Sequence, residues 1–181
     1  MRLPPHPFTT RQLQYAIAVG DTRSFRRAAE LCGVSQPALS AQLAAAQSAT
    51  VEDIRVQLFY EYNGTLSDDL TKRKDLTLLN TMTGEGAAKQ PANSFLVAVT
   101  VAGQPDTFDK AAALTVTVTT DGKRKARVAE KAFGSGILFG PEGKVVKAMF
   151  VHDSVCAPLL VTAKLKSGAA KTFSLPFKCG G

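Results

Sequence analysis

Side chains able to do acid–base, nucleophilic or metal chemistry are sparse in this chain of 181 residues. Its two histidines, His6 and His152, lie in different segments, and neither belongs to a Ser/His/Asp or Cys/His grouping. Paired-carboxylate signatures, Gly-rich phosphate loops and Cys-x-x-Cys spacings do not occur, so the sequence predicts no enzyme, no cofactor and no metal centre. Asp68-Asp69 and Asp153 carry the oxygen ligands Ca²⁺ takes, but loop acids are ordinarily just solvated. Three cysteines do not form a framework. Cys156 and Cys179 bracket the last expected hairpin, where either a bridge or two free thiols would fit, and Cys32 stands alone in the helical part. What remains is recognition chemistry. In "SFRRAAELCGVSQPALSAQL", residues 24–43, small polar side chains open a short helix behind an arginine-rich one. Ser and Gln allow close approach and hydrogen-bond to polar edges, and a helix N-terminus turns donors and a partial positive charge outward. Arg23, Arg26 and Arg27 flank the stretch as phosphate-contact candidates, or as ordinary solvated charges.

The elements that must position these residues follow from capping and period. Thr9 and Gln12 fit a capping box. Leu13, Ala16 and Ile17 then share one helical face, and Gly20 is expected to close the segment near Asp21. Ser24 can cap a second helix with an apolar face of Phe25, Ala28, Ala29 and Cys32, stopped by Gly33. Ser35 caps a third, with Pro37 tolerated in its first turn and Leu39 and Leu43 inward.

From about Val51 the apolar period switches from 3.6 to 2. In "IRVQLFYEY" the residues Ile54, Val56, Leu58, Tyr60 and Tyr62 share one face, which predicts that both tyrosines fill an interior; Asn63-Gly64 follows as a turn. "SFLVAVTVAG" reads as a second strand. Three hairpins are expected after it: "LTVTVTTDGKRKARVAEKAF" with Asp121-Gly122 at its tip, "ILFGPEGKVVKAMFV" turning at residues 141–143, and "LLVTAKLKSGAAKTFSLPF" turning at Ser167-Gly168. Residues 64–93 read as a long loop with one short strand near Leu76–Leu79. Seven or so short strands without helices between them predict an antiparallel β-sandwich, immunoglobulin-like in architecture. The fold class is thus α+β: a small three-helix helix-turn-helix unit, residues 1–47, followed by a β-sandwich domain, residues 48–181. "KRKAR", residues 123–127, is the densest basic run and suits either an anionic surface or a charged hairpin tip that discourages aggregation. "NGT" at 63–65 matches a glycosylation sequon and is more simply a turn.

The helical residues suggest a family. "RQLQY" with "AIAV", then "SFRRAAE", then "VSQPALSAQL" resemble the N-terminal helix-turn-helix of LysR-type transcriptional regulators, over about residues 8–43. The resemblance implies a winged helix-turn-helix whose third helix enters the DNA major groove. Carried over by position, Ser35, Gln36, Pro37, Ser40 and Gln42 become the groove-facing candidates, and double-stranded DNA the partner. After Leu43 the chain reads "AAAQSATVED", where such regulators continue into a wing and a long dimerising helix, so both are expected to be missing.

Charge and compartment complete the picture. The net charge is +7. Residues 1–50 hold five Arg and two acids, and residues 51–181 seventeen Lys or Arg and thirteen acids, a compositional seam that permits nucleic-acid binding. No apolar run approaches the length of a membrane span. The helical part implies a cytoplasmic regulator. A Cys156–Cys179 bridge would imply a periplasmic or secreted sandwich with a non-functional N-terminal extension, its sandwich binding an unidentified ligand or protein.

Overall fold

The computed structural model describes residues 9–46, 48–74, 76–122, 124–153 and 157–178. The chain divides into two compact units, Met1–Ser48 and Ala49–Gly181.

The first unit holds three helices, α1 (Thr10–Thr22), α2 (Phe25–Leu31) and α3 (Gln36–Ala46). At the start of α1 the expected capping box forms: the Gln12 N–H donates to Thr9 Oγ1 at 3.2 Å, and the Thr9 N–H donates to Gln12 Oε1 at 2.9 Å. Gly20 does not end this helix. It sits in the last turns, and the stop is Arg23, left-handed at φ 50° with its N–H donating to Val19 O. The buried stripe of α1 also differs from the expected one. Tyr15 faces inward with Ala18 and Val19 beside it, whereas Leu13 and Ile17 are each 54% exposed. Both sets have the i, i+3, i+4 spacing. Tyr15 wins because Ala28 and Ala29 of α2 leave room for an aromatic ring, which removes more apolar surface from water. Phe25 is likewise exposed, while Ala28 and Ala29 are buried.

The second unit is built on seven long strands: β1 (Thr50–Tyr60), β2 (Ser94–Ala102), β3 (Leu114–Thr120), β4 (Arg127–Phe133), β5 (Lys144–Val151), β6 (Leu159–Leu165) and β7 (Ala170–Leu175). One sheet runs β1-β2-β5 with the short Thr65–Leu66 segment on the free edge of β1, and the other runs β7-β6-β3-β4; every pairing in both is antiparallel. A single core joins their inner faces, with Val56, Val97, Val99, Val116, Val161 and Ala163 fully buried. β-Branched residues dominate because they suit a pleated surface covered on one face. The unit is therefore an antiparallel β-sandwich.

The Ser167-Gly168 hairpin forms as expected between β6 and β7, with Gly168 at φ +99°. Three other local expectations change. Ile137–Leu138 and β5 do not pair with each other: Ile137–Leu138 joins Phe108–Asp109, and β5 crosses to the other sheet beside β2. Phe139 is buried in this crossing, its ring so close to Gly103 that a Cβ there would lie 2.6 Å away. Asp121-Gly122 is not a two-residue tip but opens a longer loop, closed by the Thr120 N–H donating to Ala126 O at 2.8 Å. Residues 64–93 fill in with three single 3₁₀ turns and the Leu78–Leu79 segment, which pairs in parallel with Phe177–Lys178. Tyr60 is buried, but Tyr62 is 84% exposed, because the turn of residues 61–64 ends the alternation at Tyr60. Cys156, Cys179 and His6 lie outside the described residues.

Candidate nucleic-acid interface

The α2–α3 corner is set by backbone chemistry. Ser24 caps α2, its Oγ accepting from the Arg27 N–H at 3.4 Å. The helix ends at Gly33, left-handed at φ +65°, where the Gly33 N–H donates to Glu30 O and the Val34 N–H to Ala29 O. Those two bonds are the Schellman pattern that lets a helix reverse within a few residues. Val34 then packs on the Tyr15, Ala28, Ala29 and Leu39 cluster, fixing the exit direction. Ser35 starts the next helix: its Oγ accepts from the Ala38 N–H at 3.3 Å and its carbonyl from the Leu39 N–H at 3.0 Å. Leu39 is fully buried and Leu43 packs beside it.

With Leu39 and Leu43 inward, the helical period turns Pro37 and Ala41 outward, with Ser40 and Gln42 on opposite flanks and Gln36 one turn before Leu39. Ser35, Gln36, Pro37, Ser40 and Gln42 are all exposed. The five side chains are small or uncharged. Gln12 braces α3 from α1, its Nε2 donating to Gln42 O at 3.4 Å.

Arg23, Arg26 and Arg27 are also exposed, next to the α2 N-terminus. Arg26 pairs with Glu30 at 3.2 Å, with both side chains largely in solvent. Such exposed i,i+4 pairs are worth only about 0.3–0.5 kcal/mol, so the guanidinium is available to a stronger anion. Arg23 and Arg27 make no side-chain ion pair among the described residues. Arg11, which the motif spacing did not single out, is exposed in the first turn of α1. Its signal was available: α3 itself carries no cation, so the described cations of the first unit lie on α1, on α2 and at Arg23 between them.

No curated protein matches the chain. A family model does match over residues 10–67, about a third of the chain and further than the resemblance of residues 8–43. Past α3, the matched residues run through β1 to the Thr65–Leu66 segment, where Ile54, Val56, Leu58 and Tyr60 are committed to the sandwich core. A free wing is therefore not formed there, and the element following α3 is a strand rather than a linker helix. The matching model is that of the bacterial regulatory helix-turn-helix proteins of the lysR family, and it is their helix-turn-helix that the first unit resembles in helix order, turn and capping.

Proposed function

We propose that this chain is a DNA-binding transcriptional regulator of truncated LysR type, with α3 reading the major groove from Ser35 and the sandwich standing in place of the usual sensor. The observation that carries this reading is that Ser35, Gln36, Pro37, Ser40 and Gln42 are all exposed on a helix that buries Leu39 and packs Leu43 beside it. Gln36 and Gln42 supply amides for base edges, Ser35 and Ser40 supply hydroxyls, and Pro37 supplies an apolar contact. Arg23, Arg26 and Arg27 hold the sugar–phosphate backbone and set the register. Such work places the protein in the cytoplasm and makes it a binder rather than a catalyst. The helices, residues 1–47, and the sandwich, residues 48–181, act as separate domains in this reading. The strand order β1-β2-β5 opposite β7-β6-β3-β4 favours an immunoglobulin-like class for the second.

The test is a duplex-binding titration at several salt concentrations. Three arginine–phosphate contacts predict a log–log slope of roughly −3 per protomer, at about −0.9 per contact. Gln36→Ala should lower affinity for the preferred site by about 1–3 kcal/mol and leave random-sequence binding nearly unchanged. Salt-independent binding, or none at low ionic strength, would leave the exported sandwich with an inert N-terminal extension as the surviving reading.

A further inference from the structure

The free edge of β1 is closed by side chains more than by backbone. Among the described residues, backbone covers only its end: Thr65–Leu66 pairs with Phe59–Tyr60, and the Ser67 N–H donates to Leu58 O at 2.9 Å. Before that, side chains take the groups a neighbouring strand would use. The Leu58 N–H donates to Ser67 Oγ at 2.9 Å, and the Val56 N–H donates to Asp69 Oδ1 at 3.3 Å. Glu52 O accepts from Lys171 Nζ at 2.7 Å. Val56 and Leu58 are two residues apart, so their backbone groups point to the same edge, with Ile54 next in the series. A side-chain acceptor stops the ladder there, because it offers no N–H row of its own to a further strand.

The closure at Val56 is costly. The Asp69 side chain is 9% exposed, and its Oδ1 also accepts from the Thr71 N–H and hydroxyl, at 3.1 and 2.8 Å. Its Oδ2 is buried with no hydrogen-bond partner among the described residues; Lys72 Nζ stands 3.8 Å away on a side chain 77% exposed. A buried carboxylate oxygen without a donor opposes folding. That cost falls on the edge that most needs guarding. The other edge strands carry lysines, Lys144 and Lys147 on β5, Lys131 on β4 and Lys171 on β7, which discourage pairing. β1 has none, and its Ile54, Val56, Leu58 and Tyr60 alternate into the core. Its own sequence suits a second copy. In an antiparallel pair with the two-fold axis at Ile54, Asp53 lies opposite Arg55 of the second copy, and Arg55 opposite its Asp53. In that register the Val56 N–H meets Glu52 O of the second copy. Those are the groups that Asp69 and Lys171 occupy.

We infer that β1 is a self-pairing edge held shut by Ser67, Asp69 and Lys171, and that freeing it joins two copies of this chain, β1 to β1, in one continuous sheet. The edge is independent of whether the helices read DNA. Analytical ultracentrifugation of the full chain tests it. Asp69→Ala, which uncaps Val56, should self-associate about tenfold more tightly than the parent protein. Asp69→Asn, which keeps an acceptor at Oδ1, should match the parent. Adding Arg55→Asp to Asp69→Ala sets acid against acid and should reverse the gain. Adding Asp53→Arg as well makes the opposed charges complementary again and should restore it. Lys171→Met, on an exposed side chain, frees Glu52 O, leaves the Asp69 turn intact and should strengthen association severalfold. That variant decides the matter if Asp69→Ala does not fold. A folded Asp69→Ala protein no more associated than the parent, equal association of the Asn and Ala variants, indifference to Arg55→Asp, or an unchanged Lys171→Met protein would each overturn the assignment.

Discussion

Ser35 has a structural role and a proposed recognition role, and one substitution separates them. Its hydroxyl caps α3 by accepting from the Ala38 N–H. Alanine would remove that cap at a cost of about 1 kcal/mol, so weaker DNA binding by Ser35→Ala would not tell an unfolded helix from a lost contact. Ser35→Asp does tell them apart. Aspartate caps at least as well and its charge complements the positive helix end, so the melting temperature should hold or rise. A carboxylate placed against phosphates should lower duplex affinity by about tenfold or more. Circular dichroism melts beside a duplex titration give the answer, and undiminished binding by a stable Ser35→Asp protein would remove α3 from the interface.

Among the elements, caps and stops were legible wherever a side chain bonds to its own neighbourhood. Thr9, Ser24, Ser35 and Gly33 act locally, and all four perform as their sequence spacing predicts. Faces and partners were less so, because they depend on what lies across the gap. Leu13 and Ile17 lost the inward stripe to Tyr15 through the small size of Ala28 and Ala29, residues outside α1. β5 left its expected hairpin for a place beside β2, a choice made by the sandwich core and not by residues 137–151. The cleft lined by Tyr62, Met82, Ser94 and Asp153 was invisible for the same reason: residues 61–62, 82, 91–94 and 152–153 come from four separate stretches of chain. Gly20 shows how a local signal can mislead. Glycine near a helix end reads as a stop, yet here it occupies a helical position with open space around its missing Cβ. Gly20→Ala should accordingly stabilise the first unit by about 0.5–1 kcal/mol, seen as a later loss of helical signal on heating. An unchanged or earlier loss would mean that α1 ends before residue 20.

For the whole molecule, the two units differ sharply in what holds them. Among its described residues the first buries four well, Tyr15, Ala28, Ala29 and Leu39, two of them alanines. The second closes two sheets over a core that includes Phe95, Leu58, Leu114, Leu159 and Leu165, all nearly inaccessible. Apolar burial contributes roughly 25 cal/mol per Å², so the sandwich has far more stabilisation to draw on and the helices sit close to the limit for an isolated domain. Heating should therefore give two transitions, with the helical signal near 222 nm (roughly where α-helix absorbs) fading before the Tyr60 environment changes. A ligand that binds only the folded helices stabilises them by RT ln(1 + [L]/Kd), about 2.7 kcal/mol at a hundredfold excess over Kd. Adding a specific duplex should raise the first transition and leave the second in place. A duplex that moves both together would show one cooperative molecule, and a duplex that moves neither would mean that the exposed face of α3 has lost its partner.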